Sequence, residues 1–207
     1  MISYFSFDII ARGGPIIVVL IICSILSVAI VVERLIFLRL SKLMQVDKLM
    51  QIEIAIKCGD IGMALDWAKK VPAPMMRIAE VGLINADRPK EELRHAIEEA
   101  GRMEVPILER YMTSLHTIAV ISPLLGLLGT VFGMIRVFDK IVEQGAKDPT
   151  ILAGGISQAL LTTAAGLTVA IPTLIFYNLI SKRIENIITK MEHHSITLHE
   201  LITGNFS

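Results

Sequence analysis

The chain has 207 residues, 53% of them hydrophobic and only 19% charged, with 20 basic side chains balanced by 20 acidic ones. A mean hydropathy of +0.63 is high for a soluble domain, and the lack of a basic excess or an acidic tail argues against a chain built to bind nucleic acid. Cys23 and Cys58 fall in an apolar run and a polar region respectively, so they read as free thiols, forming neither a disulfide nor a zinc site.

The first apolar run covers 15–32, 18 residues without a charge, and ends at Glu33-Arg34 before resuming with Leu35, Ile36, Phe37 and Leu38. Its core is longer than that of a signal peptide, and Val31-Val32-Glu33-Arg34 is a poor cleavage site, so a retained transmembrane helix over about 14–38 is predicted. The following region, 39–112, is helical by pattern. Val46, Leu49, Met50, Ile52, Ile54 and Ile56 give one apolar set; Ile61, Ala64, Leu65 and Ala68 give a second behind Gly59-Asp60. Pro72 and Pro74 break that helix, and another is expected from Met75 to Asn85. Arg88-Pro89 then opens a long helix whose apolar face runs through Leu93, Ile97, Ala100, Met103, Ile107 and Met112, with Glu91 and Glu92 at its positive end. It is expected to continue into the next membrane span past a kink at Pro106.

Residues 111–135 and 149–181 contain no Asp, Glu, Lys or Arg, and each run exceeds the roughly 20 residues needed to cross a bilayer. They predict transmembrane helices over about 113–138 and 151–181. The tail, 182–207, prolongs the third helix, with Ile184, Ile187, Ile188, Met191, Ile196, Leu198 and Leu201 on its apolar face. The fold class is therefore all-α, a multi-pass membrane protein with three transmembrane helices, the second and third extended into a cytoplasmic helical bundle, and 1–207 forming one membrane domain. Basic residues orient it. Arg12 alone precedes the first helix, thirteen basic residues lie between the first and second, and Lys182 and Arg183 open the tail, against Arg136, Lys140 and Lys147 around the short connection. The large loop and tail are expected in the cytoplasm, with the N-terminus and the loop at 139–150 outside.

Neither acid-free helix is a plain anchor. Gly126, Gly129 and Gly133 share a face of the second, where missing side chains let backbones approach, either within one chain or between copies. Gly155, Ala159, Thr162, Gly166, Ala170 and Thr173 form a small-residue stripe on the third. Pro123 and Pro172 each remove a helix hydrogen bond and can bend the rod. Thr130, Thr162 and Thr163 can bond their own helix carbonyls, but the Gln158 amide needs a partner or water in hydrocarbon, which points to a polar interface or pore. The glycine run lacks the Gly-Lys-Ser/Thr of a phosphate loop. His193, His194 and His199 have no supporting carboxylate or Cys spacing, so no metal is called for, and no catalytic constellation or cofactor loop argues for an enzyme.

The run from Pro123 to Ile135, Pro-Leu-Leu-Gly-Leu-Leu-Gly-Thr-Val-Phe-Gly-Met-Ile, followed by Phe138, resembles the second-helix signature of the ExbB/TolQ/MotA proton-channel family. Gly155-Ile156-Ser157-Gln158-Ala159-Leu160-Leu161-Thr162-Thr163-Ala164-Ala165-Gly166-Leu167, then Ala170-Ile171-Pro172 and Tyr177-Asn178, is similar to the third, and Gly13-Gly14-Pro15 with Glu33-Arg34 to the first. Three spans rather than four fit the ExbB/TolQ branch. The resemblance implies a homopentamer in the bacterial inner membrane, among membrane lipids. Its second and third helices would surround a pore holding a dimer of an ExbD/TolR-like single-span partner, whose aspartate carries the proton. The partner would pass work to a TonB- or TolA-like protein, for TonB-dependent outer-membrane transport or for envelope maintenance. Thr130 and Thr163 match the family's pore-facing threonines, and Thr162 and Gln158 lie beside them on the third helix. Gln158 stands where enteric relatives carry a glutamate, and an amide cannot titrate. A channel working alone would need its own titratable or ion-binding residues in the membrane, and none is expected here; a purely structural scaffold would leave Gln158 and the threonines without a role.

Overall fold

The protein was analysed as a computed structural model that describes residues 2–39, 43–144 and 149–204, with side chains from 14 to 39, 43 to 143 and 153 to 204. Lys42 and residues 145–148 of the short connection, Lys147 among them, lie outside the described residues, as does the side chain of Arg12. The described chain is all-α, with helices α1 (Ile2–Phe37), α2 (Val46–Lys57), α3 (Ile61–Lys69), α4 (Pro74–Ile84), α5 (Lys90–Leu108), α6 (Met112–Gln144) and α7 (Pro149–Thr203). Three stretches are long and apolar enough to cross a membrane: Gly14–Phe37, Lys90–Glu143 and Ala153–Thr203. Contacts divide the chain into two compact units, Met1–Glu33 with Tyr111–Leu179, and Arg34–Arg110 with Ile180–Ser207.

The first unit holds the membrane helices. Within α1, Gly14 leaves the helical region at φ 68° and ψ −165°, a conformation glycine adopts without strain, and Pro15 reopens the helix at a position where no N–H is needed. The sequence pattern places the start of the span at this point but not the helix that precedes it. In α6 the buried positions are Met112, Leu115, Ala119, Ser122, Gly126, Gly129, Gly133 and Val137, spaced by three or four residues throughout. In α7 they are Ala159, Thr162, Gly166, Ala170 and Thr173. The large side chains point the other way, with Leu124, Leu127, Phe132, Leu160, Leu167 and Ile171 all exposed. Small residues inside and large apolar ones outside is the arrangement expected where lipid replaces water as the outer solvent.

The second unit is a helical bundle in which α2 packs on α3, α3 on α4 and α4 on α5. Asp60 caps α3 by accepting from the Met63 amide at 2.8 Å, and Pro74 occupies the first turn of α4. The tail of α7 buries Ile180, Ile184, Ile187, Met191, Leu198 and Leu201. Ile196, expected on that face, is 60% exposed. Val46, Met50 and Ile54 of α2 and Met103 of α5 are also exposed, and the buried positions are Leu49, Ile52, Ala55 and Ile56, then Leu93, Ile97, Glu104 and Leu108. A carboxylate takes the core position that Met103 and Ile107 are expected to fill because Arg77 closes on it: Arg77 Nε donates to Glu104 Oε1 at 2.6 Å, and the second guanidinium arm reaches Oε2.

The long helix does not run unbroken into the second span. Pro106 lies inside α5, and the interruption comes at 109–111, where Tyr111 takes φ 64° before α6 begins. Arg34, only 1% exposed, fastens the end of α5: its Nη1 donates to the carbonyls of Ile107 at 3.3 Å and Leu108 at 3.1 Å. A guanidinium there satisfies carbonyls the last turn cannot pair and meets the negative end of the helix dipole.

Candidate functional site

The small-residue faces of α6 and α7 meet in an antiparallel seam. A Cβ added at Gly166 would sit 2.6 Å from the Ser122 carbonyl oxygen and 3.1 Å from the Gly126 Cα. One at Gly126 would lie 3.0 Å from both the Thr162 carbonyl oxygen and the Thr163 Cα, and one at Gly133 would lie 3.0 Å from the Ala159 Cβ. Gly129 is covered by the Thr162 side chain and Gly155 by Val137. All five glycines therefore pack the two helices of one chain, the first of the two uses the sequence leaves open.

Each threonine has a distinct placement on this seam. Thr162 is 1% exposed and donates to the Ala159 carbonyl at 2.7 Å, so it lies inside the helix pair. Thr163 is half-buried and donates across the seam to the Gly126 carbonyl at 3.2 Å. Thr130 is half-buried and donates to the Leu127 carbonyl at 2.6 Å. A hydroxyl whose proton is committed in this way keeps its oxygen lone pairs as acceptors. Thr130 and Thr163 can thus receive a hydrogen bond from a protonated acid but offer no free proton to a carboxylate.

Gln158 lies toward the end of the seam formed by Gly133 and Gly155, where Gly14 of α1 approaches. Its Nε2 and the Nη1 of Arg136 sit 3.6 and 3.7 Å from where a Gly14 Cβ would be. Gly14 thus lets a helix break come against an amide and a guanidinium. Pro123 and Pro172 both stay within their helices, beside Ser122 and Thr173, whose hydroxyls bond the carbonyls of Ile118 and Val169 at 2.7 Å each. Such back-bonds bend helices, so each proline sits at a doubly weakened turn. At the other end of the seam the rings of His116 and Tyr177 stack, with centroids 4.8 Å apart and planes tilted by 42°. His116 is titratable without being Asp, Glu, Lys or Arg, so the absence of those four residue types from 111–135 does not reveal it; its imidazole is the signal the sequence carries.

In the second unit, α4, α5 and the tail of α7 line a groove of about 570 Å³, floored by Ile78, Ile97, Ile188 and Met191 and rimmed by Arg94, Glu98, Arg102 and Glu192. His199 Nε2 lies 3.1 Å from the Lys90 carbonyl oxygen, and His194 lies 4.0 Å from Glu53. Among the described residues no group of three or more His, Cys, Asp and Glu side chains is placed to hold a metal ion. The hydrogen bond to Glu104 pushes the Arg77 guanidinium above its usual range, so its charge is fixed at every working pH.

The model of the MotA/TolQ/ExbB proton channel family matches residues 70–193. The chain is 36% identical over 168 residues to the biopolymer transport protein ExbB-like 3 of Synechocystis sp., a match covering 80% of each chain. It is 36% identical to the biopolymer transport protein ExbB of Xanthomonas campestris over 56% of this chain and 46% of that one. It is 38% identical to the Tol-Pal system protein TolQ of Haemophilus influenzae over 50% of this chain and 47% of the relative. The match thus spans most of the cyanobacterial relative and about half the length of the other two.

Proposed function

The chain belongs to the MotA/TolQ/ExbB proton channel family, on its ExbB/TolQ branch, and we propose that it is the channel-forming subunit of a proton-driven motor in the bacterial inner membrane. One observation carries the reading: 111–135 and 149–181 hold no Asp, Glu, Lys or Arg, yet α6 and α7 keep hydroxyls at Thr130 and Thr163 and an amide at Gln158. The carboxylate that moves the proton must then come from another chain. The homopentamer around an ExbD/TolR-like single-span dimer supplies it, with Thr130 and Thr163 facing the partner.

The chemistry follows from the hydroxyl geometry. A lining that accepts but does not donate favours the neutral carboxylic acid over the carboxylate, because only the acid has a proton to give. A partner aspartate neutralised from outside is therefore held beside Thr130 and Thr163, and it is released when it loses its proton toward the cytoplasm. The membrane potential supplies about 2.3 kcal/mol per charge per 100 mV, and the partner helix turns relative to the pentamer. The stroke passes to a TonB-like protein for outer-membrane transport. The likeness to TolQ favours a TolA-like recipient in envelope maintenance as the second reading.

The test is to co-express the chain with single-span proteins encoded beside it, weigh the complex by native mass spectrometry and measure proton uptake in liposomes. Five copies with two of a partner bearing a membrane aspartate are expected. Thr163→Val should leave that mass unchanged and lower proton flux at least tenfold. Full flux in Thr163→Val and Thr130→Val refutes the lining assignment, and an assembly that conducts nothing moves the reading to a scaffold.

A further inference from the structure

We propose that His116 is a proton relay at the inner end of this pathway and that Tyr177 positions its ring. The inference rests on the channel reading and extends it to a residue that reading does not use. His116 is the one imidazole in 111–135 or 149–181; the other titratable groups there are the phenols of Tyr111 and Tyr177. The two rings meet across the same helix pair as the threonines, at 4.8 Å between centroids.

Their register is informative. His116 stands fourteen positions before Thr130 on α6, and Tyr177 fourteen positions after Thr163 on the antiparallel α7. Fourteen residues make just under four turns, which returns each side chain to within about 40° of the same face, roughly 21 Å further along. The ring pair therefore repeats the threonine pair at the end of the seam that the charge distribution assigns to the cytoplasm. Between the two levels the hydroxyls of Ser122 and Thr117 are bonded to their own helix carbonyls. Alcohols do not change protonation state near neutrality, whereas an imidazole does.

The step balances without a co-reactant. The partner's carboxylic acid gives its proton to water and becomes the carboxylate, the free nitrogen of the neutral ring takes that proton from water and becomes imidazolium, and loss of a proton from a ring nitrogen to cytoplasmic water returns it to neutral. The tilted Tyr177 ring fixes the imidazole plane and presents an aromatic face to the transient cation. The competing account is that both rings are interfacial anchors, for which only an aromatic body at the membrane boundary is needed.

His116→Phe separates the two, since it keeps the ring and removes the nitrogens. The full complex is reconstituted in liposomes containing a pH-sensitive dye, and uptake is driven by a potassium diffusion potential. His116→Phe and His116→Gln are expected to lower proton flux about a hundredfold, the low end of what a positioned acid–base group contributes, with the mass of the complex unchanged. Tens of millimolar imidazole on the cytoplasmic side should restore much of it. Tyr177→Leu should lower flux severalfold, and Tyr177→Phe, which keeps the ring, should not. Wild-type flux in His116→Phe, or a loss that imidazole does not restore, overturns the relay while leaving the channel intact. A wild-type complex that conducts nothing overturns the channel reading itself.

Discussion

Gly166→Ala tests the seam between α6 and α7 most directly. The new Cβ would lie 2.6 Å from the Ser122 carbonyl oxygen and 3.1 Å from the Gly126 Cα. Carbon and carbonyl oxygen approach to about 3.3 Å at closest, so the helices must part by roughly 0.7 Å, and both obstacles are backbone. That movement takes the 3.2 Å bond from Thr163 to the Gly126 carbonyl beyond hydrogen-bonding range. Overpacking of this kind costs about 1–3 kcal/mol, and an interhelical bond in a membrane adds about 0.6 kcal/mol, giving about 2–4 kcal/mol in all. Alanine also raises helix propensity, which blurs a comparison with wild type. Gly154→Ala supplies the reference, because a Cβ at Gly154 meets nothing within 4 Å. In detergent-solubilised protein, Gly166→Ala should melt roughly 5–10 °C below Gly154→Ala. Equal melting temperatures for the two variants would refute the close-approach argument.

Two further outcomes concern the second unit. Arg34→Met removes the donor to the Ile107 and Leu108 carbonyls and should cost about 3 kcal/mol, the value of charge-assisted bonds made by a buried group; chymotrypsin should then cut faster after Tyr111, and an unchanged rate would count against the role given to Arg34. Arg77→Met strands the Glu104 carboxyl and should cost about 1–2 kcal/mol, less than a fully buried pair because the Arg77 side chain is 41% exposed. Since the Arg77 value is raised, its contribution is complete below the usual guanidinium range and is lost only as pH climbs through the raised value. The difference between wild type and Arg77→Met should therefore be the same at pH 7 and pH 10, and a difference that shrinks over that interval would contradict the assignment.

The three spans, the small-residue stripes and the helices around Pro72, Pro74 and Pro89 were legible in the sequence because each depends on local pattern. Pro106 misled because a proline near a helix end removes only one bond and α5 absorbs it, whereas the actual break depends on Arg34, distant in sequence, satisfying the carbonyls of Ile107 and Leu108. Glu104 in the core was equally hidden, since its burial makes sense only once Arg77 is beside it. The partners of Gly126, Gly129 and Gly133 could not be read from α6 alone. Glycine spacing says that something comes close; the register that brings Thr162, Thr163 and Gly166 there belongs to both helices. His116 was visible as a letter, but its contact with Tyr177 follows from that same register.

The seam between α6 and α7 also bears on leakage. Where Gly166 and Gly126 bring backbone against backbone, and where the Thr162 side chain closes over Gly129, there is no room for a file of water molecules. A chain of waters is the commonest route by which protons slip through a protein unbidden. A helix pair welded this tightly insulates its own interior, which under the proposed function leaves proton passage to a surface shared with another chain. An idle copy of this subunit should then be electrically silent, and a cell could hold a reserve of unassembled copies in its membrane without draining the gradient it lives on.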